Sequence, residues 1–110
     1  MKIPNGARAD FGTKLEDYTL NPEHPQGKHK ARVFQSALGI TLHNADSLRK
    51  ALLDAAANSD AAVEKGDNGF GVTYSLQFPL ETDIGNATVS SGWIILHGED
   101  FPRLTTCYIV

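Results

Sequence analysis

The hydrophobic pattern changes its period once along this chain, and that change constrains the fold more than any other feature. Before residue 66 apolar residues recur every three or four positions, and after residue 69 they alternate. The first period is that of an amphipathic helix and the second that of a half-buried strand. Helices followed by strands are typical of an α+β fold, with the helices packed on one face of an antiparallel sheet. The other face would then be free to bind a partner.

Two segments have helical periodicity. The first covers residues 28–38 and ends at Gly39, a residue suited to the position after a helix. The second covers residues 45–57, with Asn44 or Asp46 as its N-cap. The apolar positions are Ala31, Phe34, Ala37 and Leu38 in the first helix, and Leu48, Ala51, Leu52 and Ala55 in the second.

Three strands are predicted after the helices. Residues 72–78 alternate and end at Pro79, and residues 87–96 follow with a possible bulge at Gly92. Residues 103–110 form the last strand. Alternation places Leu104, Thr106, Tyr108 and Val110 on one face of that strand, and Thr105, Cys107 and Ile109 on the other.

The remaining segments are less regular. Residues 14–20 form a short strand or turn, which packs Leu15, Tyr18 and Leu20 onto the core. Residues 21–27 form a rigid loop, because two prolines and a glycine exclude regular structure there. Residues 58–65 are interpreted as the frayed end of the second helix and residues 66–69 as a turn. Residues 1–17 are predicted to be an irregular arm.

Length and composition predict the broad class of the protein. A chain of 110 residues fits a single domain, residues 1–110, with one core. No apolar run reaches the ~20 residues that span a bilayer, and the N-terminus lacks the apolar stretch of a secretory signal. Cys107 is the only cysteine, which excludes an intrachain disulfide and a cysteine-cluster zinc site. We therefore expect a soluble cytoplasmic protein with no membrane partner, no metal and no cofactor.

Charge is distributed unevenly along the chain. The net charge is −3, yet residues 24–45 contain no Asp or Glu and hold three of the ten Lys and Arg and three of the four His. These six residues are His24, Lys28, His29, Lys30, Arg32 and His43. A positive patch at the start of a helix favours an anion such as phosphate. The alternative is a basic helix start that is simply solvated.

The other side chains considered for catalysis or binding also allow two interpretations. His24 is either a catalyst or a turn residue in its proline-rich loop. Tyr108 and Trp93 either stack a base or belong to the core. His43 and His97 lie near element ends, where a structural role is expected. Cys107 lies within a strand and is expected to be buried and unreactive.

Several stretches together resemble one family. Residues 20–34 contain the pattern His-Pro-x-Gly-x-x-Lys-Ala-x-x-Phe, and residues 78–80, the Trp93 strand and residues 102–108 accompany it. Over residues 18–110 the chain resembles a bacterial family of small proteins catalogued as a domain of unknown function. This resemblance implies no particular reaction.

The arrangement also resembles, more loosely, the barnase–EndoU–colicin–RelE group of metal-independent ribonucleases, which includes bacterial and phage toxins. That resemblance implies two N-terminal helices packed on a three- to four-stranded antiparallel β-meander. The implied catalytic residues are His24, Lys30, Thr106 and Tyr108. From their charge, hydroxyl or aromatic character, the candidate substrate-binding residues are Lys28, His29, Arg32, Arg103, Thr105 and Trp93.

The chemistry of RNA cleavage assigns a role to each catalytic candidate. His24 would be the base or the acid, and Lys30 would stabilise the charged phosphorane. Thr106 would donate a hydrogen bond to a phosphate oxygen, and Tyr108 would donate a proton or stack on the base. Thr105 has the EndoU spacing to Tyr108, whereas strand alternation favours Thr106, so both stay open. The second histidine also stays open among His29, His43 and His97.

Two functions from different classes follow. The first is a metal-independent endoribonuclease of the bacterial toxin type, which cleaves RNA through attack by the 2′-hydroxyl. The second is a non-catalytic binding module, such as a toxin–antitoxin or immunity partner protein. The expected partners are RNA as substrate and a cognate antitoxin or immunity protein.

Overall fold

A computed structural model describes residues 1–110 and has the expected α+β architecture. The helices are α1 (Lys28–Leu38) and α2 (Ala45–Asn58), and the strands are β1 (Val63–Asp67), β2 (Gly71–Glu81), β3 (Asn86–Leu96) and β4 (Arg103–Ile109). Each strand pairs antiparallel with the next one in sequence, so the sheet is a meander with β1 and β4 at its edges. Neither helix combines the length and apolarity needed to cross a bilayer.

The core lies between the helices and one face of the sheet. Phe34 of α1 and Trp93 of β3 are its largest fully buried side chains. Complete burial of such a side chain contributes about 1.5–3 kcal/mol. The indole Nε1 of Trp93 donates to Ser91 Oγ at 2.9 Å, and that hydroxyl donates to the Leu76 carbonyl at 2.8 Å. The buried polar atoms of the sheet centre are therefore paired, as burial requires.

Helix α1 has the predicted bounds, and its ends explain why. Gly39 adopts a left-handed conformation with φ 68° at the C-terminal end. Its backbone N–H donates to the Gln35 carbonyl at 2.9 Å, which terminates the helix with a glycine cap. The chain then reverses through a short 3₁₀ turn, Leu42–Asn44, into α2. Helix α2 ends one residue later than predicted, at Asn58.

A fourth strand is present, but it lies after the helices and not at residues 14–20, where a short strand or turn was predicted. β1 follows α2, in the region interpreted as a frayed helix end and a turn. Its sequence, Val-Glu-Lys-Gly-Asp, carries no alternating hydrophobic pattern, because β1 is an exposed edge strand paired through its backbone. Residues 15–19, where a short strand or turn was predicted, form a π-helical turn instead. The Leu20 N–H donates to the Leu15 carbonyl at 2.9 Å across this turn, and both side chains are in the core.

The prediction that Pro79 ends the first long strand is wrong, because β2 continues to Glu81. Pro79 pairs with Thr88 of β3, and β1 on the other side extends only as far as Ser75. Proline lacks the N–H that a second neighbouring strand would need. The position is tolerated because this half of β2 has a neighbour on one side only.

A β-bulge changes the faces of β4. Trp93 pairs with Leu104 and Gly92 pairs with Thr106, so Thr105 is an extra residue. A bulge was expected at Gly92, and one is present at this level of the sheet, but its extra residue lies in β4 and not in the Gly92 strand. It also overturns the predicted alternation, since Leu104 and Cys107 are both buried in the core.

The bulge also settles the position of the two threonines. A Cβ added at Gly92 would lie 2.8 Å from Thr106 Cγ2 and 3.0 Å from Thr105 Oγ1. Both side chains therefore cover Gly92 on the sheet face away from the core. The register places Tyr108 on the same face, opposite Ser90. The choice between Thr105 and Thr106 is thus not decided by strand parity, because the bulge brings both threonines to this face.

Candidate functional site

Five side chains from four parts of the fold form what we call the Lys30 cluster. The members are Tyr18 of the π turn, His24 of the loop before α1, Lys30 of α1, and Thr106 and Tyr108 of β4. The Lys30 Nζ donates to Thr106 Oγ1 at 3.2 Å. The same ammonium lies 4.8 Å from the centre of the Tyr18 ring and 5.9 Å from that of Tyr108. The fold thus brings Thr106 and Tyr108 to the Lys30 ammonium, and His24 joins the cluster through its contact with the Tyr18 ring.

Gly27 fixes the position of α1 against the π turn. A Cβ at this position would lie 2.0 Å from the Tyr18 carbonyl oxygen, so no other residue fits without a backbone shift. The glycine of the His-Pro-x-Gly pattern therefore has a steric purpose. It allows the start of the helix to touch the turn, and this contact places Lys30 beside the Tyr18 ring.

His24 is held by its own loop. The imidazole Nδ1 accepts hydrogen bonds from the backbone N–H groups of Gln26 and Gly27, both at 3.0 Å. The ring also packs edge-on against Tyr18, with centres 4.6 Å apart. In the neutral ring the proton is then on Nε2, because Nδ1 is an acceptor.

These hydrogen bonds support the interpretation of His24 as a turn residue. They also restrict the acid and base roles that its imidazole can have. A proton on Nδ1, which an imidazolium acting as the acid would carry, would break both backbone hydrogen bonds. A base role through Nε2 requires the opposite tautomer and would break both backbone hydrogen bonds. The arrangement is suited to donating a hydrogen bond from Nε2–H.

The Lys30 side chain has no acidic partner. No carboxylate oxygen lies within 4.0 Å of its ammonium, whereas Arg8, Arg49 and Arg103 all form ion pairs. A lysine over an aromatic face gains about 0.5–2 kcal/mol, more as it is desolvated. Hydroxyl and aromatic partners hold the cation in place and leave its positive field available to an anion.

Cys107 lies next to this site but takes no part in it. The side chain is fully buried, and burial raises the pKa of its thiol to about 12, against a smaller opposing effect of Lys30. A thiol with such a pKa stays protonated at neutral pH and is a poor nucleophile. The expectation that Cys107 is buried and unreactive agrees with this environment.

Two predicted substrate-binding residues have other partners. Trp93 is 1% exposed, so it cannot stack on a base from solvent, and the core interpretation is the correct one.

The Arg103 guanidinium donates to both carboxylate oxygens of Glu99 at 2.8 Å and to Asp10 at 3.1 Å. We call Asp10, Glu99 and Arg103 the Arg103 cluster. Its hydrogen bonds hold the pKa of Glu99 below its usual value and raise the pKa of Arg103. Arg103 is therefore already neutralised within the fold.

The positive patch is divided by α1. Lys28 and Arg32 line a cleft on one side of the helix together with His43, whereas Lys30 contacts β4. Residues two apart differ by about 200° around a helix, which separates Lys30 from its two basic neighbours. His29 is exposed on α1.

No second histidine joins the Lys30 cluster. The His97 Nε2 lies 2.6 Å from Asp67 Oδ2, which links the ends of β3 and β1. The hydrogen bond from His97 holds the pKa of Asp67 below its usual value. His43 lines the cleft on the other side of α1. At no place do three His, Cys, Asp or Glu side chains gather as a group that could hold a metal ion.

Tyr18 is the functional candidate that the sequence did not reveal. It was expected in the core, but it is only partly buried, and its ring contacts both His24 and Lys30. Its segment carries no motif that distinguishes it from a core element. The one structural sign is the π-helical turn itself, a rare geometry that is frequent at functional sites.

Comparison with known families gives one finding for almost the whole chain. Residues 2–110 match the model of a family described as "Domain of unknown function (DUF6883)". This confirms the expected membership of an uncharacterised domain family. No curated protein matches the chain.

Proposed function

The chain belongs to the DUF6883 family, and we propose that its Lys30 cluster makes it a metal-independent endoribonuclease of the bacterial toxin type. The observation that supports this proposal is the partly buried Lys30 ammonium, held by the Thr106 hydroxyl and two tyrosine rings without any carboxylate. A cation held in this way would stabilise a phosphate that gains negative charge in a transition state. RNA is the substrate that combines phosphates with bases able to contact aromatic rings.

In the proposed reaction the ribose 2′-oxygen attacks the adjacent phosphorus while the bond from phosphorus to the 5′-oxygen breaks. The 2′-hydroxyl loses its proton, the 5′-oxygen gains one, and the products are a 2′,3′-cyclic phosphate and a 5′-hydroxyl. The pentacoordinate intermediate carries an additional negative charge. Lys30 and the Thr106 hydroxyl would donate hydrogen bonds to its non-bridging oxygens.

The remaining members of the cluster would position the substrate. His24 would donate from Nε2–H to a phosphate oxygen, since its Nδ1 is occupied by two backbone donors. Tyr108 is 41% exposed and would stack on a base or transfer a proton. Thr105 is exposed beside Thr106 and would contact the next phosphate or ribose.

The two backbone hydrogen bonds of His24 favour a second candidate function. If His24 only caps its loop, the cluster has no imidazole free to move a proton. The Lys30 cluster would then bind a phosphate-bearing ligand without cleaving it. The chain would be a binding module, such as a toxin–antitoxin or immunity partner protein.

The deciding experiment is cleavage of total RNA in EDTA by the purified wild type, with the 3′ ends of the products identified. We expect cleavage with 2′,3′-cyclic phosphate ends, and its loss in Lys30→Gln. The matched control is Lys50→Gln, which removes a charge from an exposed position on α2. No cleavage by a folded wild type would refute the ribonuclease proposal. RNA binding that Lys30→Gln weakens would then support the binding module.

A further inference from the structure

A cleft lies on the side of α1 that carries Lys28 and Arg32. It has a volume of about 310 Å³ and lies between one side of α1, the segment 41–43, and Leu20 and Pro22. Binding sites for small organic ligands begin at roughly this size. The cleft shares no residue with the Lys30 cluster, so it needs its own explanation.

The polar part of the cleft is positively charged. Lys28 and Arg32 are four residues apart on α1 and therefore lie side by side, and His43 faces them from the 3₁₀ turn. None of these three side chains forms an ion pair. No Asp or Glu lines the cleft, in agreement with the acid-free sequence from residue 24 to residue 45. An arginine beside a lysine is the pair of groups that recognises phosphate.

The other part of the cleft is apolar and partly exposed. Leu42 is 43% exposed, and Pro22 is exposed as well. Gln35 also lines the cleft, with an amide that can pair with the polar edge of a ring. A simple inorganic anion would use the cations and leave the apolar wall in water.

The wall formed by the 3₁₀ turn is held in position before any ligand binds. The Thr41 Oγ1 accepts from the His43 N–H at 3.2 Å, and the Asn44 side chain accepts from the Thr41 N–H at 2.7 Å. Asn44 also donates to the Gly39 carbonyl at 3.1 Å, which ties the turn to the end of α1. A preorganised wall lowers the entropy cost of binding.

We propose that this cleft binds a nucleotide, with the phosphate on Lys28 and Arg32 and the base against Leu42 and Pro22. A nucleotide is the ligand class that joins a compact anion to a planar, largely apolar ring with a polar edge. The same chemistry is present in a free mononucleotide and in one nucleotide of an RNA strand. This proposal does not rest on the ribonuclease activity of the Lys30 cluster.

The test is an NMR titration of the isotope-labelled full chain with adenosine 5′-monophosphate, adenosine and inorganic phosphate. We expect the monophosphate to bind at least ~10-fold more tightly than either of its parts, with shifts at Lys28, Arg32 and His43. Removing one charged hydrogen-bond donor typically costs a factor of ~10 or more in affinity. Arg32→Gln should therefore weaken binding of the monophosphate by that factor, whereas Lys50→Gln should change it less than ~2-fold.

Two further arms separate the sources and the sites. A short RNA with 2′-O-methyl riboses cannot undergo the proposed cleavage, because its 2′-oxygen carries no proton. If this RNA displaces the monophosphate, the cleft holds one nucleotide of a strand; if it does not, the ligand is a free nucleotide. In Lys30→Gln, the affinity measured from the signals of the cleft residues Lys28 and Arg32 should stay within ~2-fold of wild type. The proposal fails if the monophosphate binds no better than inorganic phosphate, or if Arg32→Gln binds it as tightly as wild type.

Discussion

Two cationic side chains next to β4 are held by opposite kinds of partner. Arg103, the first residue of β4, donates to Glu99 and Asp10, so its charge is cancelled by carboxylates. Lys30 reaches β4 from α1, and its partners are the Thr106 hydroxyl and two aromatic rings. The first cation joins the N-terminal arm to the sheet, whereas the second has no anion within the protein.

This contrast indicates which of the two basic residues is available to a ligand. Exposed or half-exposed ion pairs contribute only about 0–1 kcal/mol to stability, but each one occupies the donors that a ligand would need. A lysine held by neutral partners keeps its full charge for a ligand. Both residues were candidates from the sequence, and only their partners distinguish them.

The largest expected effect separates the two cations directly. Lys30→Gln should lower the rate of RNA cleavage by about 10²–10³-fold, the usual cost of losing one group that stabilises a transition-state anion. Arg103→Gln should change the rate by less than about 3-fold, although both substitutions remove one positive charge. The measurement is the initial rate of cleavage of one RNA by each folded variant. Equal losses in the two variants would show that net charge, not the Lys30 cluster, controls activity.

The next effect concerns the contact that positions the Lys30 cluster. Gly27→Ala would place a methyl group 2.0 Å from the Tyr18 carbonyl, so α1 and the π turn would have to separate. Overpacking of this kind typically costs about 1–3 kcal/mol, and we expect a loss of that size in the free energy of unfolding. Urea denaturation measures it. The comparison is Gly12→Ala: nothing lies within 4 Å of its added Cβ, so any loss of stability there comes from its positive φ alone. A Gly27→Ala variant as stable as wild type would contradict the steric role of this glycine.

A smaller effect separates the cap of His24 from its chemistry. His24→Ala removes the acceptor of two backbone N–H groups and should cost about 0.5–2 kcal/mol of stability, as the loss of a helix cap does. His24→Asn supplies a side-chain oxygen that can accept the same hydrogen bonds, and should recover most of that stability. If Nε2–H also contacts the substrate, the Asn variant will be stable but will bind RNA more weakly. Equal stability of the Ala and Asn variants would show that the cap contributes nothing.

The sequence predicted those parts of the fold that depend on local periodicity. Helix α1 and strand β3 were expected almost at their observed bounds, because Phe34 and Trp93 sit in strong apolar patterns. Strand β1 was missed, since an exposed edge strand is specified by its pairing with β2 and not by its own side chains. The bulge at Thr105 inserted one residue and reversed the faces of the first half of β4.

The candidate site was predictable only where its residues are chemically distinctive. Lys30 and Thr106 were named from their residue types, and the fold brings them to hydrogen-bond distance across 76 positions. The pairing of Arg103 with Asp10 joins residues 93 positions apart, and no local sequence pattern predicts it. Tyr18 was expected in the core because the sequence of a short apolar segment does not distinguish a partly buried side chain from a fully buried one.

The smallest expected effect distinguishes the two clusters by pH. The hydrogen bonds from Arg103 hold the pKa of Glu99 below its usual value, which is about 4.3. A carboxyl whose pKa is lowered by folding stabilises the fold above its unfolded pKa and loses this contribution as the pH falls through its folded pKa. Between pH 6 and pH 3, the stability difference between wild type and Glu99→Gln should therefore shrink. The difference between wild type and Lys30→Gln should stay constant over the same range, because no carboxylate pairs with Lys30. Urea denaturation at several pH values measures both, and a constant Glu99→Gln difference would mean that the pairing with Arg103 does not hold in solution.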